Sequence, residues 1–239
     1  MKQVTARSQQ QPEPTDGSDG VSSSDLLLFA AERLYAEKGI DGVSMREISR
    51  EAAQKNTSAL HYHFGSKEAL IRAILQRRMR EFDDLRNAFL DDALSRGESC
   101  GLRTAVEALV KPMATSLLAS GKVNYYNRFL AAAQIHPDID IFALASGESD
   151  RGFHRVYVLL RGILTELPPR ILTQRYLSSL DFIMFSLADF EAVKARRERR
   201  NRSFDIERAI ENLIDMVTGA LLAPVSDQVM SRLTNGSDR

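Results

Sequence analysis

From about residue 22 to the C-terminus, apolar residues recur every three or four positions, the spacing of one buried helix face. Val, Ile and Thr never gather into alternating runs, so no strand is predicted and the fold class is all-α. A first helix starts in Ser22–Ser24 and runs to Lys38, with Leu27, Ala30, Ala31 and Leu34 as its stripe and Gly39 at its C-cap. After Asp41-Gly42, Ser44 is predicted to cap a two-turn helix that ends at Ala52 or Ala53. Glu47 completes a capping box there, and Val43 and Ile48 are spaced for a hydrophobic staple. Gln54-Lys55-Asn56 make a polar break, a third helix covers about Thr57–Phe64, and Gly65 ends it. Ser66 caps a long fourth helix with Leu70, Ile71, Ile74, Leu75, Phe82, Leu85 and Phe89 on its buried side.

The remaining helices follow the same spacing. Leu102, Val106, Leu109, Met113 and Leu117 form one stripe, and Pro112 inside it is expected to kink the helix by removing a backbone donor. Tyr125, Tyr126, Phe129 and Leu130 lie on a helix stopped before Pro137. Phe153, Val156, Tyr157, Leu160 and Leu164 lie on the next, stopped before Pro168-Pro169. A long helix carries Tyr176, Leu180, Ile183, Leu187 and Phe190 and runs into the solvated stretch Lys194–Arg202. The last main helix carries Ile206, Ile210, Leu213, Ile214, Val217 and Leu221, with Gly219 and Ala220 allowing close approach of a neighbour. The two final stripes exceed what one layer of a small domain needs. They predict a two-fold homodimer interface at Leu180, Ile183, Leu187, Ile210, Leu213 and Val217.

Composition narrows the class. Residues 1–20 hold too few apolar anchors to offset ordering entropy and are predicted to be a disordered tail. A 21–68 domain and a 69–239 domain follow. With 44% hydrophobic and 27% charged residues the chain reads as a soluble globular protein. No run of about 18 apolar residues predicts a membrane span, and the N-terminus has no apolar secretory core. The single Cys100 excludes an internal disulfide and a Cys-rich zinc site, so a reducing cytoplasm is expected. No phosphate-binding glycine loop, nucleophile elbow or zinc-protease motif is present, and neither catalysis, cofactor nor metal is expected. His61 and His63 point some 200° apart on a helix and cannot share one ion. Formal net charge is zero, so any basic surface must be local.

Such a surface occurs at the second and third helices, two short helices joined by a tight turn in the manner of a helix-turn-helix. Across 44–80, Arg46, Arg50, Lys55, Lys67, Arg72, Arg77, Arg78 and Arg80 stand against Glu47, Glu51 and Glu68. Thr57, Ser58 and Ala59 are small enough to let a helix N-terminus approach base edges, with His61 one turn further along. Gln54 and Asn56 suit bidentate bonds to adenine, and Lys55 suits guanine or phosphate. Ser44, Tyr62 and Lys67 are phosphate-contact types.

Tyr35-Ala36-Glu37-Lys38-Gly39, Ser44-Met45-Arg46-Glu47-Ile48 and Tyr62-His63-Phe64-Gly65-Ser66-Lys67-Glu68 fall in the order of the N-terminal pattern of TetR-like regulators. Over about residues 24–75 the chain resembles that family. One departure lies in the interhelical turn, where members commonly carry Gly-Val-Ser. Here it reads Ala53-Gln54-Lys55-Asn56, one residue longer, which makes Gln54 and Lys55 rivals of Asn56 and Thr57 for base contact. The resemblance implies a homodimeric repressor on a near-palindromic double-stranded DNA operator, with the last two long helices pairing across the dimer. It also implies a small-molecule effector pocket among the middle helices. Met113, Leu117, Tyr125, Tyr126, Phe129, Phe153 and Tyr157 are the candidates to line it, with Arg128 or Arg155 as the cation for an anionic effector. The alternative is a helical DNA-binding regulator or adaptor controlled by a protein partner. An enclosed apolar cavity favours the effector; a packed interior with an exposed apolar patch favours the partner.

Overall fold

The computed structural model describes residues 22–53, 62–97, 100–119, 124–145, 150–198, 200 and 203–235, and no strand occurs among them. In chain order the helices are α1 (Ser23–Lys38), α2 (Met45–Glu51), α3 (Lys67–Ser95), α4 (Leu102–Leu118), α5 (Tyr126–Gln134), α6 (Ile141–Ala145), α7 (Arg151–Ile163), α8 (Pro169–Glu198), α9 (Ile206–Leu222) and α10 (Asp227–Asn235). Residues 62–64 are also helical; the rest of the expected third helix lies outside the described residues. No single described helix is long and apolar enough to cross a membrane.

Local chemistry fixes where the helices start. The side chains of Ser22, Ser44, Ser66 and Asp205 accept from the amides of Asp25 (3.1 Å), Glu47 (3.2 Å), Ala69 (3.1 Å) and Arg208 (3.0 Å). Each satisfies a donor that the first helical turn leaves without a partner. At the far end of α1, Gly39 takes φ 77° and returns its amide to the Tyr35 carbonyl. Val43 and Ile48, either side of the Ser44 cap, are both buried as a staple requires.

Helix α4 is the axis of the larger half, packing against α3, α7, α8 and α9. Pro112 is accommodated inside it without ending it. Proline cannot supply the amide that would bond the carbonyl four residues earlier. That carbonyl, Ala108 O, instead accepts from Arg86 Nε of α3 at 3.0 Å. Helix α5 is wedged between α1 and α8. The Tyr35 and Phe129 rings stack at 5.9 Å, His136 Nε2 meets Asp41 Oδ1 at 3.1 Å, and Gln134 donates to Asp181 at 3.2 Å.

Two expectations need correction. Leu85 is not on the buried side of α3; it is 40% exposed and lines a cleft. The six residues assigned to a dimer interface are interior to the chain itself: Ile183, Leu187, Ile210, Leu213 and Val217 are buried, and Leu180 packs on the same core. The α8 and α9 stripes close on each other and on α4 and α5 of the same chain. The large apolar side chains those two helices leave exposed are Leu177, Phe182, Phe185, Met216 and Leu222.

Glu191 of α8 is buried at the start of α5, accepting from the Asn127 amide (3.2 Å) and Arg128 Nε (2.8 Å). Burial pushes its carboxyl up to about 7, with Arg128 and the two amides limiting the rise. The folded state therefore holds a proton that the unfolded chain releases near 4.5. Stability should fall as pH rises from about 4.5 to about 7 and then level off. Glu191→Gln should remove that slope in denaturant titrations, and an unchanged slope would refute the assignment.

Candidate nucleic-acid interface

Helix α2 is short and depends on its cap and on ion pairs to stay in place. Ser44 holds the Glu47 amide. The Glu47 carboxylate is held below its ordinary range, first by the hydrogen bond from Lys38 of the preceding helix and least by the Ser44 amide. Arg33 of α1 bonds Glu51 at the other end of α2 at 2.8 Å. Held this way, α2 exposes Arg46 and Arg50. Tyr62 is 85% exposed. Gly65 at φ 71° turns the chain into the Ser66 cap of α3. Lys67 follows in the first turn, half-buried, its Nζ 5.8 Å from the Tyr35 ring centroid. Exposed Ser44, Arg46 and Tyr62 with half-buried Lys67 offer hydroxyls and cations of the kind that grip a phosphate backbone. Gln54, Lys55, Asn56, Thr57, Ser58, Ala59 and His61 lie outside the described residues.

The basic cluster is smaller than its sequence count. Arg78 is turned inward and grips Glu32 of α1 through Nε (2.9 Å) and Nη2 (2.8 Å), with Glu81 at 3.2 Å. Arg77 bonds Asp25 of α1, and Arg72 bonds Glu68 at 3.1 Å. These arginines fasten α3 or neutralise its own acids. The cations α2 presents to solvent, Arg46 and Arg50, and Lys67 at the start of α3 carry the local positive field.

The residues expected to line a pocket separate into three places. Met113, Leu117, Tyr126 and Phe129 are buried in the packed core. Tyr125 borders an open cleft of about 890 Å³ between α1, α3 and the end of α4, with Leu26, Phe29, Phe82 and Leu85 among its walls. Phe153 and Tyr157 sit on α7. Phe153 lies over the Arg86 guanidinium at 3.8 Å, and the Tyr157 hydroxyl meets Thr173 Oγ1 at 2.7 Å. The two cations proposed for an anion are already engaged. Arg128 bonds Glu191, and Arg155 bonds Asp91 (2.6 Å) and Asn87 Oδ1 (2.8 Å).

Sequence reading missed Arg86 and Asp83. Arg86 is fully buried, four residues after Phe82 and four before Leu90, so a charge on the apolar stripe was the available signal. Asp83, next to the exposed Asp84, is 4% exposed, and its Oδ1 accepts from the Gly152 amide at 2.7 Å.

Comparison with known proteins agrees with this geometry. Residues 27–74 match the model of bacterial regulatory proteins of the tetR family, and residues 107–220 match the tetracyclin repressor-like C-terminal domain. The HTH-type transcriptional repressor KstR2 of Rhodococcus jostii is 33% identical over 105 residues, 41% of this chain and 46% of that protein. The HTH-type transcriptional repressor AcnR of Corynebacterium efficiens is 38% identical over 58 residues, 24% of this chain and 30% of that protein. The chain thus spans less than half the length of these curated relatives. Among solved structures, a Shewanella sp. PV-4 protein aligns with TM-score 0.59 at 16% identity over 83% of this chain and 97% of that one. Mycobacterium smegmatis AmtR aligns with TM-score 0.54 at 17% identity over 94% and 98%. These two similarities establish the fold.

Ala53, where the turn departs from glycine, has φ 53°, a left-handed conformation that costs a Cβ-bearing residue roughly 1–2 kcal/mol. Ala53→Gly should therefore raise stability, by up to about 1 kcal/mol once the extra backbone entropy of glycine is subtracted. Thermal unfolding of the two proteins checks this; a destabilised Ala53→Gly would show the turn to be unstrained.

Proposed function

The chain belongs to the tetR family of bacterial regulatory proteins, and on that premise we propose that it is a DNA-binding transcription regulator, a homodimeric repressor released from a near-palindromic operator by a small-molecule effector. The observation that carries this reading is the capped helix pair: α2 held by Ser44, α3 held by Ser66, with Arg46, Tyr62 and Lys67 around them. Gln54, Lys55, Asn56, Thr57, Ser58, Ala59 and His61 are the proposed base-reading segment.

A second copy covers the apolar side chains exposed on α8 and α9. Phe182, Phe185 and Met216 supply area. Gly219 is exposed, and an added Cβ there would meet nothing within 4 Å, so a partner helix has room to approach closely. The effector acts among the middle helices and moves α3, whose first turn touches DNA. Coupling of about 1–3 kcal/mol would change operator occupancy five- to 150-fold. The close packing of Tyr126 and Phe129 favours a second reading, control by a protein partner. A partner would act at an exposed face, without a ligand reaching the interior.

Selection from random duplexes by mobility shift should recover an inverted repeat, and failure to enrich one sinks the DNA-binding reading. On the selected site, Lys67→Ala should weaken binding to all sequences and reduce the salt slope by about one unit. A change of base preference with an unaltered slope would contradict the phosphate role of Lys67.

Dimerisation has its own test. Phe185→Lys, at an exposed position, should give folded monomers with weakened operator binding, because the two half-sites are no longer engaged together. Leu213→Lys, in the core, should instead unfold the chain. Sedimentation and circular dichroism separate the outcomes; a Phe185→Lys protein that remains dimeric would move the interface elsewhere.

A further inference from the structure

Arg86 carries the least satisfied charge described. Its side chain is buried, Nε is spent on Ala108 O, and Nη1 and Nη2 have no hydrogen-bond partner. The nearest carboxylate oxygen, Asp83 Oδ1, is 3.7 Å from Nη1, too far for a hydrogen bond. Asp83 is itself committed to the Gly152 amide (2.7 Å) and the Asn87 side chain (2.9 Å). Burial lowers the guanidinium to about 10, so it stays charged at neutral pH. A buried cation short of acceptors is costly and is kept where something else supplies them.

The surroundings define what fits. The Tyr126 hydroxyl is buried and without a partner, and Arg86 is among the charges that act on it, after Glu32, Arg78 and Glu81. Burial holds its phenol far above the ordinary range, so it remains a donor. The Phe153 ring lies on the guanidinium at 3.8 Å and is itself only half-buried, so its outward rotation opens a path from solvent. Tyr176 of α8 adds a third aromatic ring near the charge. We propose that Arg86 Nη1 and Nη2, with the Tyr126 hydroxyl, bind the carboxylate of a small monocarboxylic acid whose apolar body packs on Phe153 and Tyr176. A planar fork of two N–H donors matches a carboxylate. Asp83 at 3.7 Å repels a dianion, and a neutral ligand leaves the guanidinium uncompensated. The inference rests on the effector reading above and names the ligand class and its anchor. Because Arg86 is on α3, the ligand acts directly on the helix that begins at Lys67.

The test uses the full chain and four probes, butyrate, octanoate, benzoate and phenylacetate, each against its own amide. At least one carboxylate should raise the thermal midpoint of the wild type and release the selected operator where its amide does neither. Arg86→Met should weaken that carboxylate about ten- to hundredfold, the effect expected for losing a charged hydrogen-bond donor. Should Arg86→Met fail to fold, Tyr126→Phe removes one hydroxyl from the same site and should weaken the carboxylate severalfold without affecting its amide. An Arg86 that only braces α3 against α4 would leave the carboxylate-minus-amide difference unchanged. Equal responses to acid and amide in the wild type, or no response to any probe, overturn the proposal. Carboxylate-specific stabilisation that is lost in the variants, in a protein for which no inverted repeat is recovered, supports the anion site and defeats the DNA-binding reading separately.

Discussion

A carbonyl stranded by proline organises the centre of this molecule. Helix α4 is covered on several sides by α3, α7, α8 and α9, so Ala108 O, deprived of its helical donor by Pro112, cannot turn to water. An unpaired buried carbonyl costs about 1–3 kcal/mol. Arg86 supplies the missing donor and thereby fixes where α3 crosses α4. The neighbouring Asp83 captures the start of α7 through Gly152, where a Cβ would lie 2.7 Å from the carboxylate oxygen. Three helices are thus pinned at one spot. The same arrangement leaves two of the three guanidinium nitrogens, Nη1 and Nη2, without acceptors, so the element that stabilises the crossing is also the element with unused binding capacity.

From that crossing α3 runs outward as a rigid rod. Arg78, two turns earlier and about 12 Å along the axis, grips Glu32 of α1. Lys67 stands about 29 Å from Arg86 at the end of the same helix. Helices α1 and α2 are attached on one side through α3 and on another through α5 and the turn after it, by Tyr35 against Phe129 and Asp41 against His136. The cleft of about 890 Å³ lies between α1, α3 and the end of α4. Coupling between the two ends of α3 needs only continuous packed helices between them.

What the sequence made legible follows from range. The caps at Ser22, Ser44 and Ser66 are decided within three residues, so composition and spacing located them. The partner of an amphipathic stripe is decided by the whole fold. Period alone says that Ile183, Leu187 and Leu213 face something apolar; it cannot say whether that surface belongs to the same chain or to a copy. The same limit hid Arg77 and Arg78, which read as a basic face until α1 is seen to place Asp25 and Glu32 opposite them. Arg86 was legible in principle, since it breaks an otherwise apolar stripe at the spacing of a helix turn. The residues expected to read bases, Gln54 to Ala59, lie outside the described segments, so their register rests on the sequence alone.

A net charge of zero is compatible with phosphate binding once the pairing of charges is followed. In the N-terminal helices, Asp25, Glu32 and Glu51 are consumed by Arg77, Arg78 and Arg33, each pair holding one helix against another. Glu47 is taken by Lys38 in the same way. The acids of this half therefore neutralise structural cations, while Arg46 and Arg50 remain exposed on α2. Acids elsewhere, such as Glu211 and Asp215 on α9, are paired with Arg103. Fields between exposed charges are largely screened beyond about 8 Å at physiological ionic strength. A phosphate at the start of α2 or α3 responds to the cations within that distance and not to the sum over the chain. The whole-chain charge is uninformative because several of the acids that balance it, Asp25, Glu32, Glu47 and Glu51 among them, are spent on holding helices together.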